Sequence, residues 1–131
     1  MASHAVMEAV DARLDDGWDR CPILGENDQG ETPQDGSPFL IVQYPVGSSR
    51  RWSVSDRLYR ETGAIRFVIH TEIGEGKTKG AQWGDVLASL FRDRRFGGIR
   101  TQAPTPPTEG IGDGNYHVTS LSVPYTRDFR D

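Results

Sequence analysis

The stretch from Arg60 to Gly98, RETGAIRFVIHTEIGEGKTKGAQWGDVLASLFRDRRFGG, changes its hydrophobic period once, and this change decides the fold. In its first part every second residue is apolar or β-branched, which is the period of a strand with one buried side. The residues on that side are Ile65, Phe67, Ile69, Thr71 and Ile73. In its second part apolar residues recur at helical spacing and form one stripe. That stripe consists of Trp83, Val86, Leu87, Leu90 and Phe91.

The residues after the stripe predict where the helix ends. The basic run from Arg92 to Arg95, followed by Gly97 and Gly98, is typical of a helix C-terminus. The stretch therefore predicts a long strand, a tight glycine turn and an amphipathic helix in a row. The remaining elements must cover the apolar faces of this strand and helix.

The N-terminal part predicts a surface helix and a buried strand. The helix runs from a cap at Ser3 to about Asp16 and ends at Gly17, because apolar residues repeat every four positions along it. The polar, acidic segment 25–38 is predicted to be a loop. The run of β-formers from Phe39 to Tyr44 predicts a central strand covered on both faces.

The other segments predict short strands and turns. The chain should turn at 45–49 and form a strand or hairpin arm with one exposed face at 50–59. A short strand is expected at 99–103, and the proline- and glycine-rich segment 104–114 predicts irregular structure.

The last strand is predicted at 115–125, where Pro124 ends it, and a charged tail follows at 126–131. The predicted order of elements is α, β, β, β, α, β, β. This order favours an α+β fold, with a mostly antiparallel sheet of four to five strands and two helices packed on one face.

Composition limits the classes of protein to consider. The length of 131 residues suggests a single domain over 1–131, and the net charge of −4 lacks the basic excess typical of nucleic-acid binding. No apolar run approaches the ~20 residues that cross a membrane, and no signal-peptide pattern opens the chain. We therefore expect a protein that is made and used in the cytoplasm. Cys21 is the only cysteine, which excludes an internal disulfide and a zinc site built on paired cysteines.

Motifs for catalysis or cofactor binding are not found. Gly74 to Thr78 reads GEGKT, but a phosphate-binding loop needs a glycine where this chain has Thr71, so a tight turn is the simpler interpretation. His70 and His117 lie on different predicted strands and can be neighbours, yet two histidines without a third ligand make a poor metal site. We therefore predict no catalytic, cofactor-binding or metal-binding residues. A nucleotide-binding protein or small-molecule enzyme, based on GEGKT, is kept as a third hypothesis.

Arginine and aromatic residues are concentrated in one arm of the predicted sheet. These residue types are enriched in protein interfaces, although a solvated strand edge is the alternative explanation. The arm contains Arg50, Arg51, Trp52, Arg57, Tyr59 and Arg60. The loop 25–38 carries the opposite charge, so the arm of one copy can pair with the loop of another. Head-to-tail contacts of this kind can close into a ring.

Three motifs of this chain occur together in one known family. They are Arg60-x-x-Gly63 before the alternating strand, Leu90-Phe91-Arg92-Asp93-Arg94-Arg95-Phe96-Gly97-Gly98, and Tyr116-x-Val118 through Val123-Pro124-Tyr125 with Asp128 after it. With these motifs the chain resembles the tail terminator (tail-completion) proteins of long-tailed bacteriophages and phage-like gene transfer agents. The resemblance covers about Ala5 to Asp128, and the loops 25–38 and 104–114 match none of the family's motifs.

The resemblance implies a structural protein and not an enzyme. Six copies would form a ring that caps the head-proximal end of the tail tube, stops its polymerisation and joins the tail to the head. The implied partners are other copies of the chain, the major tail tube protein and a head–tail connector or neck protein. DNA would pass through the lumen without specific binding, and no membrane is involved. The alternative is a neck or head–tail connector adaptor of the same kind of particle.

We assign two kinds of contact to this ring, and both assignments are predictions. Contacts between subunits or with the tube are expected at the arm and the glycine turn, whereas the loop 104–114 and the tail 126–131 are candidates for docking the connector. The candidate residues are Arg50, Arg51, Trp52, Arg57, Tyr59, Gly74, Gly76, Lys77, Arg127 and Asp128.

Overall fold

A computed structural model describes residues 2–24, 37–51, 53, 57–74, 76–111 and 116–130. Within these residues the fold is α+β, as predicted, with two helices and seven strands. The elements in chain order are α1 (His4–Gly17), β1 (Ile23–Leu24), β2 (Phe39–Arg51), β3 (Leu58–Glu72), α2 (Gly76–Phe91), β4 (Arg95–Phe96), β5 (Ile99–Thr101), β6 (Thr108–Ile111) and β7 (Tyr116–Arg130).

The sheet has more strands than predicted and is mixed. Its strand order is β1-β2-β3-β7-β5-β4, and β6 also pairs with β7. β1 runs parallel to β2, whereas all other pairs are antiparallel. The prediction of four to five strands was too low because β1, β4 and β6 have two to four residues each. Segments this short show no measurable period.

The core lies between one face of the sheet and both helices. Ile65, Phe67 and Ile69 of β3 are fully buried on this face, as their alternation predicts. They share one cluster with the apolar stripes of the two helices, which comprise Val6, Val10 and Leu14 of α1 and Leu87 and Phe91 of α2. Ile73 is 61% exposed, because β3 ends at Glu72 and Gly74 turns the chain with a φ of 101°.

The first helix begins and ends close to the predicted positions. Ser3 stands at the N-cap position, but its side chain makes no capping hydrogen bond. The helix ends at Gly17, where an added Cβ would lie 2.5 Å from Cδ1 of Leu90 on α2. Gly17 therefore allows the end of α1 to lie directly against α2.

Two prolines lie inside strands, contrary to prediction. The predicted turn at 45–49 belongs to β2, because a bulge between Gln43 and Val46 accommodates Pro45 without a ladder hydrogen bond. The predicted end of β7 at Pro124 and the predicted tail at 126–131 are also wrong, since β7 continues to Arg130. Pro124 lies between the β5 and β6 pairings, where its carbonyl accepts a hydrogen bond from Gln102.

Two further boundaries differ from prediction. The helix α2 ends at Phe91 and not beside Gly97, because the chain turns at Asp93 with a φ of 50° and then forms β4. Gly97 and Gly98 instead turn β4 into β5, with φ values of 54° and 83°. Within the segment predicted to be irregular at 104–114, residues 108–111 form β6 on the edge of β7.

The run from Phe39 to Tyr44 is covered on both faces at its start, but it is not central. Phe39 and Leu40 point to opposite faces and are both buried, at 2% and 0% exposure. Phe39 stacks on His70 on the face away from the helices, with ring centroids 4.2 Å apart. The strand β2 nevertheless lies second from the edge of the sheet. The predicted loop at 25–38 lies outside the described residues except for 37 and 38.

Candidate assembly surface

The predicted contact residues fall into two groups at opposite ends of β3. One group lies where β2 ends and β3 begins, and the other lies at the turn into α2, roughly 40 Å away along the strand. The first group contains Arg50, Arg51, Arg57, Tyr59, Arg127 and Asp128, and the second contains Gly74, Gly76 and Lys77. Trp52 lies outside the described residues. The structure therefore does not bring all the predicted contact residues together.

The first group belongs to a three-stranded extension of the sheet, which we call the arm and define as residues 46–51, 58–64 and 124–130. Its strands are in register across the sheet: Arg50 faces Arg60, which faces Asp128. The arm has an inner side, which faces the helices, and an outer side, which faces away from them.

An ion pair joins β3 to β7 on the outer side of the arm. Arg60 donates two hydrogen bonds to Asp128, from Nε at 2.7 Å and from Nη2 at 2.9 Å. Paired hydrogen bonds of this kind fix the geometry of both side chains. The hydrogen bond from Arg60, with the positive charges of Arg60 and Arg100, lowers the pKa of Asp128. Asp128 therefore remains a carboxylate in this pair at neutral pH.

A buried carboxylate joins the inner side of the arm to the start of α1. Glu61 is only 5% exposed. Its Oε2 accepts hydrogen bonds from the Tyr125 hydroxyl at 2.8 Å and from the Ser3 backbone N–H at 3.0 Å. Arg127 Nη1 lies 3.6 Å from its Oε1. Burial alone would raise the pKa of Glu61, but these hydrogen bonds and the charge of Arg127 outweigh it and leave the pKa lowered.

Gly63 lies where no side chain fits. A Cβ at this position would lie 2.4 Å from the Val46 carbonyl oxygen and 2.7 Å from the Tyr125 hydroxyl. In register, Gly63 faces Tyr125 and Arg60 faces Asp128. The two halves of the sequence motif, Arg60-x-x-Gly63 and Tyr125 with Asp128, are therefore contact partners that build the arm.

The predicted contact residues of the arm differ in how far they are engaged within the chain. The Tyr59 ring stacks on Phe129 at 5.6 Å, and the Arg127 guanidinium lies over the same ring at 4.5 Å. Arg51 is exposed and donates a hydrogen bond from Nε to the Ser53 carbonyl at 2.9 Å. Arg50 and Arg57 are also exposed. Tyr59 and Arg127 thus shape the arm, whereas the three arginines present charge to solvent.

The second group lies at the opposite end of the sheet. Gly74 has a φ of 101°, a conformation that favours glycine, and Gly76 begins α2. Lys77 pairs with Glu109 of β6 at 3.4 Å. The lysine of the GEGKT sequence is therefore engaged in an ion pair within the chain.

The two histidines predicted as possible neighbours do not form a site. His117 faces Thr71 on the helix side of the sheet, while His70 packs against Phe39 on the other side. Among the described residues, no group of three histidine, cysteine or carboxylate side chains is arranged to hold a metal ion.

A charged cleft on the outer side of the arm was not predicted. Its volume is about 430 Å³, and Arg60, Arg95, Arg100 and Asp128 supply its charged groups. Arg95 and Arg100 face each other across the β4–β5 pair. The sequence shows the arginines but not the hairpin that brings them beside Asp128. We call this site, with these four residues, the basic cleft.

Comparisons with known proteins agree with this architecture. One solved structure is 23% identical to this chain with a TM-score of 0.63, and the match covers 100% of this chain and 99% of that chain. At this identity the likeness shows the fold alone. No curated protein matches the chain. In the part of the chain that the structure describes, neither helix is long and apolar enough to span a bilayer.

One family of known proteins matches most of this chain. The family described as phage tail terminator protein matches residues 5–125, which include α1 except for His4, the arm strands up to Tyr125 and the β4–β5 hairpin. This match covers most of the 131 residues. The chain therefore belongs to the phage tail terminator protein family.

Proposed function

We propose that this chain is a structural tail terminator that closes into a ring, with six copies as the expected number. The ring caps the head-proximal end of the tail tube, stops tube polymerisation and offers its other face to the head connector. The family match over residues 5–125 carries this proposal. The protein acts by assembly and not by catalysis, within a particle built in the bacterial cytoplasm.

The exposed edge of the arm supports a role in assembly. β2 is exposed over its last seven residues, and Val46 is 58% exposed. One edge of β2 pairs with β3, whereas β1 covers only Leu40 and Ile41 on the other edge. Within the described residues, the rest of this second edge has no strand beside it. Unpaired backbone groups on an exposed edge can accept a strand from another chain.

The proposed ring surrounds the path of the DNA. The net charge of −4 is compatible with a lumen through which DNA slides, because few phosphate contacts mean little release of counterions and weak binding. The arm and the Gly74–Lys77 end stand as the candidate contacts with neighbouring subunits and with the tube.

Tube length in particles assembled without the protein tests this function. Without a terminator, tubes should grow past their fixed length, and adding the purified chain before assembly should restore a single length seen by electron microscopy. Tubes of normal length that fail only to join heads would contradict termination. If the protein is found instead on heads that lack tails, the connector adaptor is the correct function.

A further inference from the structure

The basic cleft holds more positive charge than its own chain neutralises. Arg60 is engaged with Asp128 in the bidentate pair, so three arginines and one carboxylate leave two positive charges. Apart from the backbone pairing of their strands, neither the Arg95 nor the Arg100 side chain forms a hydrogen bond or ion pair with another described residue. They also stand directly opposite each other in the β4–β5 pair, where like charges are unfavourable.

The exposed side of α1 is negatively charged, and its like charges also repel one another. Glu8, Asp11, Asp15 and Asp16 are exposed along it, and we call these four residues the acidic face. Asp11 and Asp15 stand four residues apart, a spacing at which like charges repel on a helix. Asp15 and Asp16 lie in the last turn, where the helix dipole disfavours negative charge. Burial, with the charge of Asp15, raises the pKa of Asp11.

No positively charged side chain among the described residues pairs with Asp11, Asp15 or Asp16 to offset this repulsion. Glu8 pairs with His4 at 2.8 Å, but Asp11, Asp15 and Asp16 form no ion pair within the part of the chain that the structure describes. Locally unfavourable choices of this kind are expected at functional surfaces. The acidic face and the basic cleft each contain repulsion that the other would relieve.

One chain cannot join its own two surfaces, because they lie on opposite sides of the β4–β5 hairpin. α1 contacts the inner side, where a Cβ on Gly97 would lie 2.5 Å from Cβ of Ala9. On the same side, the Arg13 guanidinium lies 5.3 Å from the centroid of the Phe96 ring. Ile99 is buried in the core at 2% exposure, so Arg100, the next residue along β5, points outward.

We propose that the acidic face of α1 on one copy docks into the basic cleft of the next copy. This inference rests on the proposed ring and names the surfaces that would close it. Two different patches in contact make a head-to-tail interface, which produces a ring when the rotation between copies closes. Complementary charges of this kind steer association and are weakened by salt.

Duplex DNA is the competing occupant of the basic cleft. Arginines suit phosphate, but the cleft has only two uncompensated positive charges in a chain of net charge −4. The acidic face supplies carboxylates on a rigid helix of the same chain, which matches the cleft in sign. A second copy is therefore the better partner.

Charge reversal of each surface tests the docking. The cleft variant carries Arg95→Glu and Arg100→Glu, and the helix variant carries Asp11→Lys and Asp15→Lys. Each variant alone should remain monomeric in light scattering at concentrations where the wild type forms its oligomer, with purified tail tube added if the wild type requires it. An equimolar mixture of the two variants should return to the wild-type mass, because each supplies the charge that the other lacks.

Matched controls make the same charge changes elsewhere. Arg20→Glu with Arg66→Glu, and Asp19→Lys with Asp85→Lys, alter exposed residues outside both surfaces and should leave the oligomer unchanged. Circular dichroism verifies that all variants are folded. If the cleft variant is unfolded, Arg95→Gln with Arg100→Gln replaces it and should raise the concentration needed for assembly at least tenfold.

Four results would overturn the docking. Oligomers that persist in both variants would contradict it while leaving the proposed ring intact, as would folded monomeric variants that do not associate when mixed. A cleft variant that keeps its oligomer but loses binding to a short DNA duplex would show that the cleft takes nucleic acid. A wild-type chain that stays monomeric with tail tube present would contradict both the docking and the ring.

Discussion

Glu61 and Gly63 lie two residues apart on β3, and different contacts restrict which amino acid each position can accept. Gly63 is restricted by space, because the Val46 carbonyl and the Tyr125 hydroxyl occupy the volume of a Cβ. Glu61 is restricted by hydrogen bonding, because its carboxylate joins β7 to the start of α1. Both residues pair with β7, so part of the restriction on each comes from a strand more than 60 positions away in the sequence.

Replacing Gly63 by alanine should destabilise the fold by about 1–3 kcal/mol, the usual cost of forcing an extra carbon into a packed site. The Cβ would stand 2.4 Å from a backbone oxygen that cannot rotate away. Urea unfolding followed by circular dichroism gives the free energy. Gly110→Ala is the matched control, because its nearest neighbour would lie 4.0 Å away. Equal stability of the two variants would contradict the packing described for the arm.

The Glu61 carboxylate should make stability depend on pH in the acidic range. Its pKa is lowered in the folded state from the ordinary value of 4.5. The charged form therefore stabilises the fold above about pH 4.5, and this contribution is lost as pH falls through the folded-state pKa.

Urea unfolding between neutral and acidic pH measures this effect. Glu61→Gln should show a smaller fall in unfolding free energy than the wild type, because it has no proton to bind at this position. Asp85→Asn, an exposed change on α2, should behave like the wild type. If Glu61→Gln kept the full acid-dependent fall, the carboxylate network would not be the cause.

At the scale of elements, length decides how much could be predicted from the sequence. The fully buried apolar side chains of β3 and α2 were predicted, since each element is long enough to show its period. Ile73 was predicted on the same side of the strand, but it lies beyond the end of β3 and is exposed. The short strands have no period to read. Pro45 and Pro124 were wrongly predicted to end strands, because proline lacks the N–H that a strand normally uses for pairing. A bulge beside Pro45 and a gap between the partner strands beside Pro124 remove the need for that N–H.

The candidate site was predictable in composition but not in geometry. Arginines and aromatic residues marked the arm, and the structure places Arg50 and Arg51 exposed on it. The pairing of Arg60 with Asp128 joins residues 68 positions apart, which depends on the register of β3 with β7. The basic cleft depends in addition on the β4–β5 hairpin. The sequence predicted a short strand at 99–103, but it assigned the rest of this hairpin to the end of a helix. Register and hairpin position are set by tertiary packing.

The arm itself should be required for assembly. Arg51→Ala with Trp52→Ala should leave a folded monomer that no longer forms rings or completes tails, because it removes residue types that supply binding energy at interfaces. Light scattering and electron microscopy of tails measure the two effects. Arg20→Ala with Arg92→Ala is a control away from the arm and should assemble normally. Rings that persist at normal stability would show that this interface assignment is wrong.

At the scale of the whole molecule, charge is distributed unevenly despite the modest net charge of −4. Positive side chains gather in the basic cleft, and negative side chains gather on the exposed side of α1. The backbone edge of β2 and these charged surfaces would respond differently to salt during assembly. Strand pairing is little affected by salt, whereas contacts between exposed charges are screened beyond about 10 Å at 0.1 M salt.

Salt should therefore weaken the oligomer. We expect dissociation at about 0.5 M sodium chloride at protein concentrations where the oligomer persists at about 0.05 M, because screening removes most of the attraction between exposed charges. Sedimentation velocity at both salt concentrations measures the change. An oligomer that becomes more stable at high salt would indicate an apolar interface and would contradict the charge-based docking.

The mass of the purified protein in solution, measured by light scattering with and without purified tail tube, shows whether the chain forms a ring. We expect a closed oligomer of fixed mass, six chains of 14.6 kDa if the ring is a hexamer, either in the protein alone or when tube is added. A 14.6 kDa monomer that ignores the tube at every concentration would contradict the ring.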